Sequence, residues 1–246
     1  MNHSIEFARA VNNGDLRTVK IMVKDGYQVR KDSGIYFYTA IKKGYLAVVK
    51  FLIEQNISYN IRNIFREASV NGQTDILKYL FKKVGPVNEK HVIDILMTAC
   101  CNGYLDIIKF LEKKVDLRSG DDKALYLAAY FNKMEIFQYL LSKGLNIKTE
   151  KYKAFKGSLK SHQDEISQFI IKRQDDLKTI NKFLMFSAKA GKLDNVKILI
   201  AKGGDIRIAK KFGNQPILDH CTGIFFNNLQ ETISSKEEKK EKIVKI

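Results

Sequence analysis

Four side chains in the chain belong to the types that build structural zinc sites or reactive thiol centres: Cys100, Cys101, His220 and Cys221. They fall in two adjacent pairs about 120 residues apart. Two carboxylate pairs, Asp121-Asp122 and Asp175-Asp176, are the other candidates for acid-base or metal chemistry. Adjacent carboxylates in a turn rarely converge on one substrate, whereas an acidic side chain ahead of a helix satisfies free backbone N–H groups, so both pairs read as helix caps. His91 reads as a loop or helix-start residue, and His162 stands where related segments carry a turn glycine, a position histidine tolerates. The sequence holds no Gly-rich phosphate loop, no His-Glu-x-x-His, no Cys-x-x-Cys pair and no Gly-x-Ser-x-Gly elbow. No catalytic, cofactor-binding or metal-binding residue is therefore assigned, and a non-enzymatic chain without a cofactor is expected.

The elements that carry these residues repeat. A block built as apolar-x-x-small, then Gly, then a polar-apolar run returns about every 30 residues: Phe7 to Gly14, Phe37 to Gly44, Phe65 to Gly72, Leu96 to Gly103, Leu125 to Asn132, Phe155 to His162 and Leu184 to Gly191. Each is followed by a second, more apolar segment, such as Leu46 to Ile53 or Leu193 to Ile200. A helix that apolar over most of its circumference must be sandwiched between neighbours, as in a stacked array. The predicted unit is two short antiparallel helices, with the Gly supplying the left-handed turn that closes the first. Ala10, Ala40, Ala68, Ala99, Ala128, Ser158 and Ser187 share one position in the block, where a small side chain lets successive first helices approach. After each second helix comes a short loop anchored by one apolar residue, as in Gly26 to Arg30, Asn56 to Asn60, Val84 to Asn88, Gly144 to Lys148 and Gly203 to Arg207.

The fold class that follows is all-α: a solenoid of about seven helix-turn-helix repeats starting near residues 5, 35, 63, 93, 123, 153 and 182 and filling 1–207. Residues 208–233 are expected to form a capping helix pair and 234–246 a charged, fraying tail. In such an array Cys100 and Cys221 are several layers apart, on the order of 30 Å at the usual helix spacing, which excludes a shared metal.

Lys and Arg outnumber Asp and Glu by 43 to 27, a net charge of +16 that favours acidic proteins, nucleic acid or anionic surfaces over neutral partners. No apolar run approaches the roughly 18 to 20 residues a membrane span needs, and residues 1–10 lack a signal-like apolar core. With three unpaired cysteines the chain reads as intracellular and not secreted, which leaves the sequons at Asn2 and Asn56 idle.

Gly44-Tyr45-Leu46-Ala47-Val48-Val49-Lys50-Phe51-Leu52-Ile53 and Gly103 to Leu111, each followed by a short anchored loop, resemble the second helix of the ankyrin repeat. The resemblance covers roughly Ile5 to Arg207. It departs from the family in lacking the Thr-Pro-Leu-His helix start and in a period near 30 where the family's is about 33, which implies shortened finger loops. The Lys-, Ile- and Asn-rich, short-period style also resembles the multicopy ankyrin proteins of amoeba-infecting giant DNA viruses.

The resemblance implies a protein-binding scaffold or adaptor whose partner lies on the concave face, built from finger loops and the ends of the first helices. Carried over by position, candidate partner-binding residues are Tyr36, Tyr38, Lys42, Lys43, Asn71, Asn102, Tyr130, Phe131 and Lys160. Tyr130-Phe131 is either an exposed interface anchor or core under a shortened finger. Arg30, Arg118, Lys148, Lys178 and Arg207 follow the anchored loops, with Asn60 and Asn88 in the other two units; this column either tracks phosphates or an acidic helix, or is solvated finger surface. The partner is expected to be another protein, bound by a monomer. Nucleic acid or an anionic surface, held through the net positive charge, is the alternative, and a degenerate enzyme has no residues to support it.

Overall fold

The computed structural model describes residues 3–29, 33–55, 59–85, 87–119, 122–161 and 163–244. Asp121, His162, Arg30 and the loop centred on Ile57 lie outside the described residues. Helices alternate in pairs. The first helices are α1 (His3–Asn12), α3 (Ser33–Lys43), α5 (Ile61–Val70), α7 (Glu89–Asn102), α9 (Lys123–Tyr130), α11 (Thr149–Lys160) and α13 (Leu177–Lys189). Their partners are α2 (Leu16–Lys24), α4 (Leu46–Glu54), α6 (Thr74–Val84), α8 (Leu105–Leu111), α10 (Met134–Ser142), α12 (Glu165–Lys172) and α14 (Leu193–Ala201). No strand occurs among the described residues. The chain divides into two compact units, Met1–Asn146 and Ile147–Ile246.

The first helices other than α11 end as their sequence dictates. Gly14, Gly44, Gly72, Gly103 and Gly191 all take positive φ, between 69° and 93°, and Asn132 takes 51° at the same position. The small-residue column is buried throughout: Ala40, Ala68, Ala99, Ala128, Ser158 and Ser187 have no exposed surface and Ala10 has 5%. Beside it the leading apolar residues Phe7, Phe37, Leu96, Leu125, Phe155 and Leu184 are fully buried, which makes this seam the core of each repeat. The two serines satisfy the column differently: Ser158 Oγ donates to the Phe155 carbonyl at 2.7 Å, while Ser187 Oγ has no partner.

The repeats are tied together at the turns. At four junctions the residue after the turn glycine leans over the turn of the preceding repeat and reaches one of its terminal carbonyls, groups a helix cannot satisfy internally. Tyr45 Oη donates to Asn12 O at 3.4 Å, Gln73 Nε2 to Lys42 O at 3.1 Å and Tyr104 Oη to Val70 O at 3.1 Å. In the second unit Lys192 Nζ donates to Ser161 O at 2.9 Å. This contact adds a second reason for glycine at the turn. A Cβ at Gly14, Gly44 or Gly72 would come within 2.8 Å of Tyr45, 2.5 Å of Gln73 or 2.6 Å of Tyr104.

In several repeats the loop ends in a residue that caps the next first helix. Asn60, Asn88 and Asp176 cap α5, α7 and α13, their side-chain oxygens accepting from the N–H groups of Asn63, Lys90 and Thr179 at 3.1, 2.8 and 2.9 Å. Asn60 and Asn88 thus serve as helix caps while remaining exposed. Asp122 stands at the N-cap of α9 in a left-handed conformation with φ 53° and no side-chain cap bond, so the expected capping role fails there. Asp175 pairs instead with Lys202 at 3.3 Å. Val29, Leu117 and Leu145 are buried as loop anchors, whereas Val87 is half-buried and Ile206 opens a helix.

That helix, α15 (Ile206–Phe212), packs on α13 as a further first helix, capped by Asp205 on the Arg207 N–H at 2.9 Å. It is followed by α16 (Gln215–Val244), a helix of 30 residues. The segment beyond 233, expected to fray, continues the helix. Ile217 and Cys221 of α16 are buried; Phe225 and Phe226 are each 57% exposed.

Enlarging Ala99 to Leu should cost about 1–3 kcal/mol by overpacking, whereas Ala99→Ser should cost far less because serine already fills that position in two repeats; urea denaturation followed by circular dichroism measures both. Gly72→Ala should cost roughly 1–2 kcal/mol from the left-handed backbone plus the clash with Tyr104, and Tyr104→Ala in the same chain should recover the clash component alone.

Candidate partner-binding face

Four first helices of the N-terminal unit, α3, α5, α7 and α9, carry most of the surface that could meet a partner. On α9, Tyr130 and Phe131 are 37% and 45% exposed, with ring centroids 5.0 Å apart in an edge-on arrangement. Tyr126, one turn back, lies 5.8 Å from Tyr130, so the three rings form a single aromatic knob. Of the two readings of Tyr130-Phe131, the exposed one describes their position. Asn102 is exposed at the end of α7, and its Nδ2 donates to Thr98 O at 2.9 Å; Asn71 donates to both Glu67 O and Glu67 Oε1, at 2.8 and 3.0 Å. Both amides are thereby folded back onto their own helices.

Lys42 and Lys43 are exposed in the last turn of α3, and Tyr38 is half-buried against a shallow depression it shares with Asn63, Arg66 and Glu67. Tyr36 belongs elsewhere. It is 7% exposed, edge-on to Phe7 at 5.1 Å, with its hydroxyl 3.0 Å from Ser4 Oγ and accepting from Tyr27 at 3.3 Å. Tyr36 is a core residue that joins α3 to α1, and the surface patch proposed around it loses its first member. Helical phase explains the difference: Tyr36 lies beside Phe37 on the buried stripe, while Tyr38 is rotated away from it. Lys160 is exposed at the end of α11 and belongs to the C-terminal unit.

Sequence reasoning missed a groove between α5 and α7. Arg62 and Arg66 on α5, His91, Asp94 and Thr98 on α7, and Lys123 at the start of α9 surround a cavity of about 340 Å³ floored by Phe65 and Ile95. Arg62 Nε donates to His91 Nε2 at 3.1 Å. The signal was present as the i, i+4 spacing of the two arginines on the polar side of α5, but attention to residues near the helix ends passed over it.

The second-helix lysines are engaged within the protein. Lys20 sits over the Phe51 ring at 5.8 Å, Lys50 over Tyr79 at 5.5 Å and Lys109 over Tyr139 at 5.8 Å, each ring belonging to the following repeat. Lys78 and Lys197 pair with Asp75 and Asp194 one turn earlier, at 3.1 and 3.6 Å. Arg207 of the loop-following column is forked onto Asp205, at 2.7 Å for its closest contact. Tyr139 also donates to Glu112 at 2.5 Å, and Lys143 pairs with Glu112 at 2.9 Å. The Tyr139 hydroxyl first, then Lys143, holds the Glu112 carboxyl below its usual range.

The thiols show no sign of activation. Burial pushes Cys100 up to about 12, and burial also raises Cys101 and Cys221. Cys100 and Cys221 lie in different units, and among the described residues no three His, Cys, Asp or Glu side chains converge on a metal-sized site.

Residues 65–151, which carry the aromatic knob and most of the groove, match the family model of ankyrin repeats in three copies. The fold is that of the ankyrin repeat. The crystal structure of the human ASB11 ankyrin repeat domain resembles the chain with a TM-score of 0.62 at 16% identity, over 81% of this chain and 98% of that one. At that identity the likeness is one of fold. A search of the curated proteins finds no match. Among the described residues no helix is long and apolar enough to cross a membrane.

Because the carboxylate is held low, the Glu112–Tyr139–Lys143 cluster stabilises the ankyrin stack above the ordinary carboxylate range, and this contribution is lost as pH falls through the titration of Glu112. Tyr139→Phe should move the Glu112 titration upward, toward the value of a free glutamate, in a carbon-13 NMR titration of the side-chain carboxyl.

Proposed function

We propose that the chain is a non-enzymatic protein-binding scaffold or adaptor that takes its partner on the exposed side of the first helices. What supports this most is the contrast between a constant frame and a variable surface. The positions at the turn and in the small-residue column are nearly the same in every repeat. The exposed or half-buried positions just before the turn are Asn12-Asn13, Lys42-Lys43, Val70-Asn71, Cys101-Asn102, Tyr130-Phe131, Lys160-Ser161 and Lys189-Ala190, and no two of these pairs agree. A surface that differs from step to step along a fixed scaffold suits one-to-one recognition of an extended partner. Tyr130 and Phe131, large rings exposed together, are its natural anchor. The three unpaired thiols fit work inside the cell. The stylistic likeness to giant-virus ankyrin proteins would place that work in an infected host.

The electrostatic alternative, binding of nucleic acid or an anionic surface, has the net charge of +16 in its favour. It is weakened by the outer lysines, whose ammonium groups already sit on rings or carboxylates of the protein itself. The two readings part in a pull-down from host-cell lysate run with and without nuclease and washed over a range of salt. The scaffold reading expects a saturable protein partner whose affinity falls about tenfold or more in Tyr130→Ala/Phe131→Ala. Recovery of nuclease-sensitive material alone, lost between about 50 and 200 mM salt, would instead establish the electrostatic reading.

A further inference from the structure

We propose that the groove between α5 and α7 is a receptor for an acidic segment of the partner protein, carboxylates on its rim and one apolar side chain on its floor. This names the partner's chemistry and rests on the scaffold reading above. The groove is of a size that takes a side chain and its neighbours, about 340 Å³. Its floor is apolar and firm, with Phe65 2% and Ile95 3% exposed and Met97 at its edge.

The rim is cationic. Arg62, Arg66 and Lys123 supply three positive charges against the single carboxylate of Asp94. Only one of those cations is engaged: Arg62 uses Nε on His91 Nε2 at 3.1 Å, which fixes the plane of its guanidinium and leaves the two terminal nitrogens for a ligand. Among the described residues neither Arg66 nor Lys123 has a hydrogen-bond or ion-pair partner. That sets them apart from Lys78, Lys143, Lys192, Lys197, Lys202 and Arg207, which all have carboxylate partners. A planar guanidinium held by a neighbour is suited to forked binding of a carboxylate. An apolar floor under a cationic rim selects an acidic peptide with a hydrophobic residue over a phosphate backbone, which has nothing to place on Phe65 and Ile95. Lys123 and the Tyr130-Phe131 knob are the two ends of α9, roughly 10 Å apart at the helical rise. One extended segment can therefore lie in the groove and reach the aromatic anchor.

The test is a selection of random twelve-residue peptides on the full chain at physiological salt, followed by fluorescence anisotropy of the enriched peptides. The expected peptides carry at least two Asp or Glu around an apolar residue and lose affinity at least tenfold in Arg62→Glu/Arg66→Glu with the circular dichroism spectrum unchanged. Arg62→Lys/Arg66→Lys keeps the charge, guards against a folding defect and should weaken binding a few-fold through loss of the fork. Enriched peptides that are neutral or basic, or acidic peptides that bind the charge-reversed chain within twofold of the original, would overturn the proposal. If such peptides were lost on Tyr130→Ala/Phe131→Ala, the scaffold reading would stand with the aromatic knob alone as its site; if no peptide enriched, the groove proposal would fall and the pull-down above would decide the scaffold reading. A single-stranded DNA oligonucleotide that bound more tightly than any peptide and was lost on charge reversal would also overturn it, in favour of phosphate.

Discussion

A helix of ten residues or so leaves several carbonyls at its C-terminus with no partner inside the helix. In this chain one of those groups is taken by the residue that follows the next repeat's turn glycine: Tyr45, Gln73, Tyr104 or Lys192. For that side chain to arrive, the preceding turn must have nothing in its way, and the backbone there must be left-handed. Under Tyr45, Gln73 and Tyr104 both demands are met by glycine; under Lys192 the residue at that turn position, His162, lies outside the described residues. The rest of the repeat follows from this joint. It sets the step between first helices, the step brings the small-residue column into contact, and the column leaves room for nothing larger than Ala or Ser. The interaction is unusual in being satisfied by a hydroxyl, an amide and an ammonium in turn, which tells that a donor of sufficient reach is required and not a particular residue.

The joint also decides what is left over for recognition. Donors and small residues occupy the positions that hold the stack, so the other side of each first helix is unconstrained by packing. There the chain places an aromatic knob on α9 and two arginines on α5, with little in common from one repeat to the next. The outer side is different in kind. Lys20, Lys50 and Lys109 on the second helices lie over rings of the following repeat, so part of what looks like free charge in the sequence belongs to the stacking.

How much of this could be read from the residues depends on whether the signal was periodic. The turn glycines, the Ala/Ser column and the apolar second helices recur in register, and their structural roles follow from spacing alone. Asn132 at a glycine position was legible for the same reason, since it takes the same left-handed turn. Features that belong to one repeat were not legible. Tyr36 and Tyr38 are two residues apart and differ in fate because one falls on the buried stripe of α3 and the other off it, a distinction of roughly 200° of helical rotation that the repeat block did not resolve. Asn60 and Asn88 were grouped with basic residues by loop position, although their side-chain oxygens are already taken up in capping α5 and α7. The reason is that the residue after the anchor is already the cap of the next helix. The groove at Arg62 and Arg66 depends on a neighbouring helix supplying His91 and Lys123, which spacing within a single repeat cannot reveal.

The joint between repeats needs one donor on one side and one clear turn on the other, and neither depends on the identity of anything further along the chain. A gene segment encoding a single repeat can therefore be duplicated or lost, and the new neighbours will find the same fitting waiting for them. The recognition surface of such a protein grows and shrinks by whole steps, each step carrying its own unselected residues into place. Divergence after copying would then act on side chains such as Tyr130 and Arg66 while the fitting itself stays fixed, so lineages can acquire new targets without having to reinvent a fold.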